Sequence, residues 1–223
     1  VMFTGSTEVA TLLQRNIASR LDAQGRPIPL IAETGGMNAM IVDSSALTEQ
    51  VVIDVLASAF DSAGQRCSAL RVLCLQDEIA DHTLKMLRGA MAECRMGNPG
   101  RLTTDIGPVI DGEAKTNIER HIQTMRSKGR PVFQAVRENS EDAREWQSGT
   151  FVAPTLIELD DFAELQKEVF GPVLHVVRYN RNQLPELIEQ INASGYGLTL
   201  GVHTRIDETI AQVTGSAQVG NLY

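Results

Sequence analysis

The stretch Phe60-Asp-Ser-Ala-Gly-Gln-Arg-Cys-Ser-Ala-Leu70 decides how the chain is organised. It follows a segment with helical spacing and precedes a largely apolar run, which predicts a helix end, a glycine-bearing turn and then a buried strand. The small residues around Cys67 leave room for a substrate carbon to approach the sulfur. Cys67 is therefore a candidate covalent nucleophile. The alternative is that it is one more small buried apolar residue, as free cysteines usually are.

Apolar runs alternate with helical periodicities along the 223 residues. The predicted strands are residues 1–3, 29–32, 38–42, 70–75, 132–136, 151–159, 173–179, 198–203 and 219 onward. The predicted helices are residues 48–62, 77–93, 113–128, 183–193 and 206–214, together with a first helix whose buried face would carry Val9, Leu12, Leu13, Ile17 and Leu21. The alternation predicts an α/β fold with a largely parallel sheet.

Composition excludes several classes of protein. The net charge of −8 argues against a nucleic-acid surface or an anionic membrane as partner. No apolar run reaches the roughly 18–20 residues that a membrane span requires. The three cysteines show no disulfide framework, so a cytoplasmic location is expected. The histidines have no metal-ligand spacing, and no metal is expected.

Other candidate residues are weaker when each is considered alone. Glu33 ends an apolar strand and precedes paired glycines, which suits a general base that activates water but also suits an exposed surface acid. Gly5 and Ser6 lie between a strand and a helix, where backbone N–H groups can hold a phosphate. Glu168 and Phe170 read locally as a polar helix end and a core aromatic residue. No GxGxxG dinucleotide fingerprint is present.

Together, five motifs resemble the aldehyde dehydrogenase superfamily in their order and approximate separations. They are Phe3-Thr-Gly-Ser-Thr7, Glu33-Thr-Gly-Gly36, Gly64-Gln-Arg-Cys67, Glu168-Val-Phe-Gly-Pro172 and Gly220-Asn221. The longer stretches 60–74 and 168–175 are most similar to the L-glutamate γ-semialdehyde (1-pyrroline-5-carboxylate) dehydrogenase module of the bifunctional bacterial proline utilization family.

The resemblance implies a three-layer α/β catalytic domain over residues 36–223, with residues 1–35 as a remnant of the NAD-binding domain. It also implies NAD-dependent oxidation of L-glutamate γ-semialdehyde to L-glutamate in proline catabolism. Cys67 would form the thiohemiacetal and thioester, its backbone N–H would supply part of the oxyanion hole, and Glu33 would activate water.

The same resemblance assigns the remaining site residues. It implies contact with the cofactor pyrophosphate for Gly5 and Ser6, with the nicotinamide ribose for Glu168, with the nicotinamide for Phe170, and with the substrate for Ser68.

Both ends of the chain read as interrupted strands, which indicates a piece of a longer polypeptide, expected to be a homo-oligomer. The family's other oxyanion donor and its substrate-carboxylate anchor are expected outside this segment. Three alternatives remain open. The segment alone could be a non-catalytic folding or interaction module, the enzyme could oxidise another class of aldehyde, or Cys67 could serve an acyltransferase or hydrolase that does not use NAD.

Overall fold

The computed structural model describes residues 1–135 and 149–223. The strands are β1 (Met2–Thr4), β2 (Ile31–Glu33), β3 (Ala39–Val42), β4 (Val72–Gln76), β5 (Val132–Gln134), β6 (Thr155–Leu159), β7 (Val173–Tyr179), β8 (Thr199–His203) and β9 (Asn221–Leu222). The α-helices are α1 (Thr7–Ala18), α2 (Thr48–Phe60), α3 (Asp77–Glu93), α4 (Gly112–Ser127), α5 (Leu184–Ala193) and α6 (Asp207–Ser216). Short 3₁₀ turns cover Asp61–Gly64, Phe162–Glu164 and Arg181–Gln183.

The described strands form two sheets. Strands β1 and β2 make a small parallel pair. The other strands make one sheet in the order β5-β6-β7-β4-β3-β8-β9. Within it β5 and β6 are antiparallel, and the remaining neighbours are parallel. The predicted α/β fold with a largely parallel sheet is confirmed.

The core lies around the central strands of the larger sheet. Ile41, Leu73 and Leu174 are fully buried on β3, β4 and β7. Helices α2 and α3 pack against each other and against β7. Such strands read as continuous apolar runs because both faces are covered. Burial of each large aliphatic side chain stabilises the fold by roughly 1.5–3 kcal/mol.

One helix end differs from its prediction in a way that shapes the site. Helix α2 was expected to reach residue 62 but ends at Phe60. The chain then tightens into the 3₁₀ turn Asp61–Gly64, in which Ser62 and Ala63 have positive φ. An α-helix cannot continue through left-handed residues, so the helix stops before them.

The predicted buried face of the first helix is wrong. Val9 and Leu12 are 42% and 56% exposed, and Leu21 lies beyond the end of α1 at Ala18. Ala10 is the buried residue of this helix. Periodicity identifies the apolar face of a helix but does not supply the element that covers it. Leu13 and Ile17 are half-buried, so within residues 1–135 and 149–223 this face is covered only in part.

Two further predictions concern the region around β5 and β6. Strand β6 begins at Thr155 rather than at residue 151, directly after Pro154, which has no N–H to donate to a sheet ladder. The sequence of residues 138–148 is acidic and irregular, which predicts a solvated surface loop. This segment, with Trp146, lies outside the described residues, as does the end of the strand predicted at 132–136.

Candidate active site

The nucleophile loop, residues 61–71, connects α2 to the amino end of β4. Cys67 is exposed on it. Ser62, Ala63 and Gly64 have φ values of 57°, 52° and 65°, so three consecutive residues adopt the left-handed conformation. That conformation costs a non-glycine residue roughly 1–2 kcal/mol. The loop is therefore held in a strained shape by contacts elsewhere.

Asn38 provides one of these contacts. Its Nδ2 donates to the carbonyl oxygens of Cys67 at 2.7 Å and Ala69 at 2.8 Å. Its Oδ1 accepts from the backbone N–H of Thr199 at 3.2 Å. Asn38 is buried immediately before β3, so the strand fixes the side chain that holds the nucleophile's carbonyl.

Gln65 holds the other side of the loop. Its Nε2 donates to the carbonyl oxygens of Ser62 at 3.2 Å and Pro108 at 3.3 Å. Its Oε1 accepts from the N–H of Ile110 at 2.8 Å. The turn before Cys67 is thus fastened to the loop that precedes α4.

Paired glycines bring the Glu33 segment against the nucleophile. A Cβ built on Gly36 would lie 2.5 Å from the carbonyl oxygen of Cys67. A Cβ built on Gly35, whose φ is 119°, would clash with the carboxylate of Glu168. These two positions tolerate only glycine. The absence of a side chain there allows the Glu33 segment, the nucleophile loop and the Glu168 segment to lie against one another.

Glu33 is the last residue of β2, and its side chain is exposed. Its carbonyl oxygen accepts from the N–H of Gly5 at 3.1 Å. Among the described residues, no hydrogen bond or ion pair involves its carboxylate. An exposed, unpaired carboxylate can accept a proton from water.

Arg71 lies behind the site as a fully buried guanidinium. Its Nε and Nη2 donate to Oε1 of Glu168 at 3.0 and 2.8 Å. Its remaining bonds go to the carbonyl oxygens of Gly171 at 3.2 Å and Arg66 at 3.1 Å. The half-exposed ring of Phe170 lies over the guanidinium, 5.2 Å from centroid to Cζ.

Glu168 and Arg71 depend on each other for their charges. Burial raises the pKa of Glu168, and the neighbouring Arg71 and the N–H of Gly36 oppose that rise. Burial likewise lowers the pKa of Arg71, and Glu168 opposes the fall. Removing one partner of such a pair leaves an uncompensated charge away from water, at a cost of roughly 3–5 kcal/mol when both are fully buried.

Gly5 and Ser6 lie at the start of α1. The Ser6 hydroxyl accepts from the N–H of Val9 at 3.2 Å and caps the helix. A Cβ on Gly5 would lie 2.6 Å from the ring of Phe3, which gives this glycine a packing role. The remaining N–H groups of the first turn can bind an anion.

Ser68, next to the nucleophile, faces an open cavity of about 500 Å³. The cavity lies between α2 and the strands β3 and β8. Its lining includes Asn38, Ser58, Arg66, Ser68, Thr199 and Tyr223. Both neighbours of Cys67 along the chain therefore line this cavity, but Cys67 itself does not.

Sequence reasoning did not identify Asn38 and Arg71 as site residues. For Arg71 a signal existed, because it interrupts the apolar run 70–75. A charged residue in a strand covered on both faces requires a partner, and here the partner is Glu168. Nothing in the local sequence around Asn38 distinguishes it from any strand-initiating asparagine.

The described residues contain no cluster of His, Cys, Asp and Glu arranged to hold a metal ion. They also contain no helix long and apolar enough to cross a membrane.

The fold and the grouping of these motifs are typical of the aldehyde dehydrogenase family. The model of the aldehyde dehydrogenase family matches residues 1–223, and the chain belongs to this family. It is 98% identical over its whole length to the bifunctional protein PutA of Escherichia coli K12, of which it covers 17%. The predicted resemblance is confirmed.

Solved structures agree. A crystal structure of a bifunctional proline utilization A protein superposes with a TM-score of 0.90 at 47% identity, over 100% of this chain and 22% of that one. A 1-pyrroline-5-carboxylate dehydrogenase from Thermus with bound NAD gives a TM-score of 0.86 at 31% identity, over 100% of this chain and 42% of that one. The chain therefore spans less than half the length of each of these relatives.

Proposed function

We propose that this chain is the nucleophile-bearing part of an NAD-dependent L-glutamate γ-semialdehyde dehydrogenase, within a longer bifunctional enzyme of proline catabolism. Residues 36–223 would form the catalytic domain and residues 1–35 the end of the NAD-binding domain. Membership of the family and the likeness to proline utilization proteins support this. The observation that carries the proposal is the exposed Cys67, with its carbonyl fixed by Asn38.

Cys67 would act first. Its sulfur adds to the aldehyde carbon, the thiol proton leaves, and the former carbonyl oxygen becomes the oxyanion of a thiohemiacetal. Its backbone N–H would donate to that oxyanion. The peptide that carries this N–H is held through the carbonyl oxygen of Arg66, which accepts from Arg71 Nη2 and from the N–H of Ala69, both at 3.1 Å. Asn38 holds the following peptide through the Cys67 carbonyl, so no reorganisation is needed as charge develops.

The residues present fit NAD⁺, which when bound would accept the hydride that converts the thiohemiacetal to a thioester. Glu168 offers a carboxylate to ribose hydroxyls, and Phe170 offers a half-exposed ring. The start of α1 after Gly5 and Ser6 offers N–H groups of its first turn to a pyrophosphate, whereas the N–H of Gly5 itself donates to the carbonyl oxygen of Glu33. The bound NAD in the Thermus relative supports this cofactor.

Glu33 would complete the turnover as general base. It accepts a proton from water, the hydroxide oxygen attacks the thioester carbon, and the carbon–sulfur bond breaks to release the thiolate and the carboxylic acid, which loses its proton to solvent. Its exposed and unpaired carboxylate at the end of β2 supports this role. Ser68, which lines the open cavity, would contact the substrate.

The test uses the full-length protein that contains this sequence. NADH production from L-glutamate γ-semialdehyde is expected, with loss of activity in Cys67→Ala and with a thioester that accumulates in Glu33→Gln. Cys94→Ala, which alters the cysteine at the C-terminal end of α3, is expected to keep the activity. Activity that survives Cys67→Ala, or product formed without NAD⁺, would refute the proposal.

The exposed apolar face of α1 favours a second function for the segment alone, as a non-catalytic folding or interaction module. Size-exclusion chromatography of the isolated segment checks this. Self-association without NAD⁺ binding would support the module, whereas a monomer that binds NAD⁺ tightly would exclude it. A cytoplasmic location and a homo-oligomeric full-length protein remain predictions from the sequence.

A further inference from the structure

Each nitrogen of Arg71 and its carbonyl oxygen form a hydrogen bond to one of the segments that surround the site. Its backbone N–H donates to the carbonyl oxygen of Asn38 at 2.9 Å, and its carbonyl oxygen accepts from the N–H of His175 at 2.9 Å. Its guanidinium reaches Glu168, Gly171 and the carbonyl of Arg66. One side chain therefore joins the nucleophile loop to the segment that carries Glu168.

The way Arg71 contacts Glu168 restricts the carboxylate. Two guanidinium nitrogens converge on Oε1. The other oxygen is directed at the corner made by Gly35, where a Cβ would clash with it. With a side chain only 12% exposed, Glu168 has little freedom to choose another orientation.

From this geometry we propose that Arg71 is a positioning residue, which keeps the Glu168 carboxylate ionised and oriented to accept hydrogen bonds from the hydroxyls of the nicotinamide ribose. The inference rests on the proposed role of Glu168 in the cofactor site. It adds that the affinity for NAD⁺ depends on a buried arginine, which influences the cofactor only through Glu168.

Charge explains why an arginine is needed. Burial raises the pKa of Glu168, and Arg71 is the largest opposing influence. The titratable and charged groups around Arg71 itself are Arg66 and Cys67 on the nucleophile loop and His175 on β7. Without Arg71, Glu168 would hold its proton to higher pH and would lose acceptor capacity for ribose hydroxyls.

The experiment measures NAD⁺ binding without substrate, by isothermal titration calorimetry between pH 6 and pH 9 on the full-length protein. Arg71→Met is expected to raise the Kd for NAD⁺ about tenfold at pH 6, in line with the loss of a hydrogen bond to a charged group. The defect is expected to shrink toward pH 9 as Glu168 ionises. A purely structural defect would weaken binding equally at every pH, and that result would overturn the proposal.

A double-mutant cycle gives the second arm. In a Glu168→Gln background, Arg71→Met is expected to change the Kd for NAD⁺ by less than twofold, because its target is already neutral. If circular dichroism shows that Arg71→Met does not fold, the neutral variant Arg71→Gln takes its place in the cycle. Equal losses in both backgrounds would overturn the proposal.

The matched control is Arg178→Met. Arg178 also pairs with carboxylates, Asp81 and Glu158, but lies on the far end of β7, and the variant is expected to keep the wild-type Kd. A wild-type Kd in Glu168→Gln would also overturn the inference, since Arg71 would have nothing to position. The Cys67-dependent oxidation that tests the proposed function would be unaffected, so the two failures are distinguishable.

Discussion

The Nε2 atoms of His121 and His175 lie 2.8 Å apart, with the two rings edge to face. His175 Nδ1 lies 3.2 Å from the carbonyl oxygen of Arg71, so it carries the proton and donates there. Its Nε2 therefore accepts, and His121 Nε2–H is the donor. A further proton on His175 would have to go on Nε2, where it would face the N–H of His121, so this arrangement keeps His175 neutral.

This pair is expected to make the fold sensitive to acid. Burial lowers the pKa of His175 to about 3 and that of His121 to about 4, whereas both are about 6.5 when unfolded. The unfolded chain thus binds more protons below pH 6.5. The contribution of the pair to the free energy of unfolding is fully present above pH 6.5. It falls toward pH 4, by about 1.4 kcal/mol per pH unit for His175. Half-exposed His121 contributes less.

This effect is measured by urea unfolding of the full-length protein at several pH values. Pulsed hydrogen exchange at one fixed labelling pH then reports how much of β7 is unfolded in each sample. Replacing both residues, as His121→Leu with His175→Met, is expected to flatten the dependence between pH 4 and 6.5. His82→Gln, on the exposed side of α3, serves as the control and should keep the wild-type slope. A wild-type slope in the double variant would contradict the prediction.

The paired glycines give a second prediction. Gly35→Ala is expected to lower the free energy of unfolding by at least 1 kcal/mol, because φ is 119° there and the methyl group meets Glu168. Gly89→Ala is the matched control, since nothing lies within 4 Å of a Cβ on this helical glycine. It is expected to stabilise α3 by roughly 0.5–1 kcal/mol. Chemical unfolding of both variants measures the difference, and equal effects would refute it.

The turn before the nucleophile provides a third prediction. Ser62 is exposed and has a φ of 57°, so Ser62→Gly removes left-handed strain without opening a cavity. The variant is expected to gain about 1 kcal/mol in unfolding free energy. Ser58→Gly in the last turn of α2, where Gly is disfavoured, is expected to lose about as much. A loss of stability in Ser62→Gly would show that its side chain matters more than its backbone strain.

The sequence was sufficient to predict the elements with strong local signals. Helix α3 has the predicted bounds, Asp77–Glu93, because its apolar spacing is regular and Asp77 and Glu78 favour its N-terminus. Strand β7 likewise has its predicted bounds. The exposed face of α1 could not be foreseen, because a hydrophobic stripe reports what a helix would bury and not whether a partner is present.

Within the site, the residues that hold the motifs together were harder to predict than the motifs themselves. The bond from Asn38 to Cys67 spans 29 positions in the sequence, and the Arg71–Glu168 pair spans 97. Neither has a periodic signature, since such contacts depend on how β3, β4 and β7 are placed side by side. The left-handed residues Ser62 and Ala63 were also unforeseen, because neither is a residue type that favours positive φ.

The three cysteines differ enough in environment for a final prediction on thiol reactivity. Cys67 is exposed, Cys94 is partly buried and Cys74 is fully buried on β4. Burial also raises the pKa of Cys74 to about 12, which leaves almost no thiolate at neutral pH. Brief treatment of the folded protein with iodoacetamide at pH 7.5 is therefore expected to alkylate Cys67 and to spare Cys74, as peptide mass spectrometry would show. In urea both should react, and in Cys67→Ser the rapid modification should disappear. Alkylation of Cys74 at a rate similar to that of Cys67 would mean that β4 opens readily, and the buried core around Arg71 could then not hold Glu168 in one orientation.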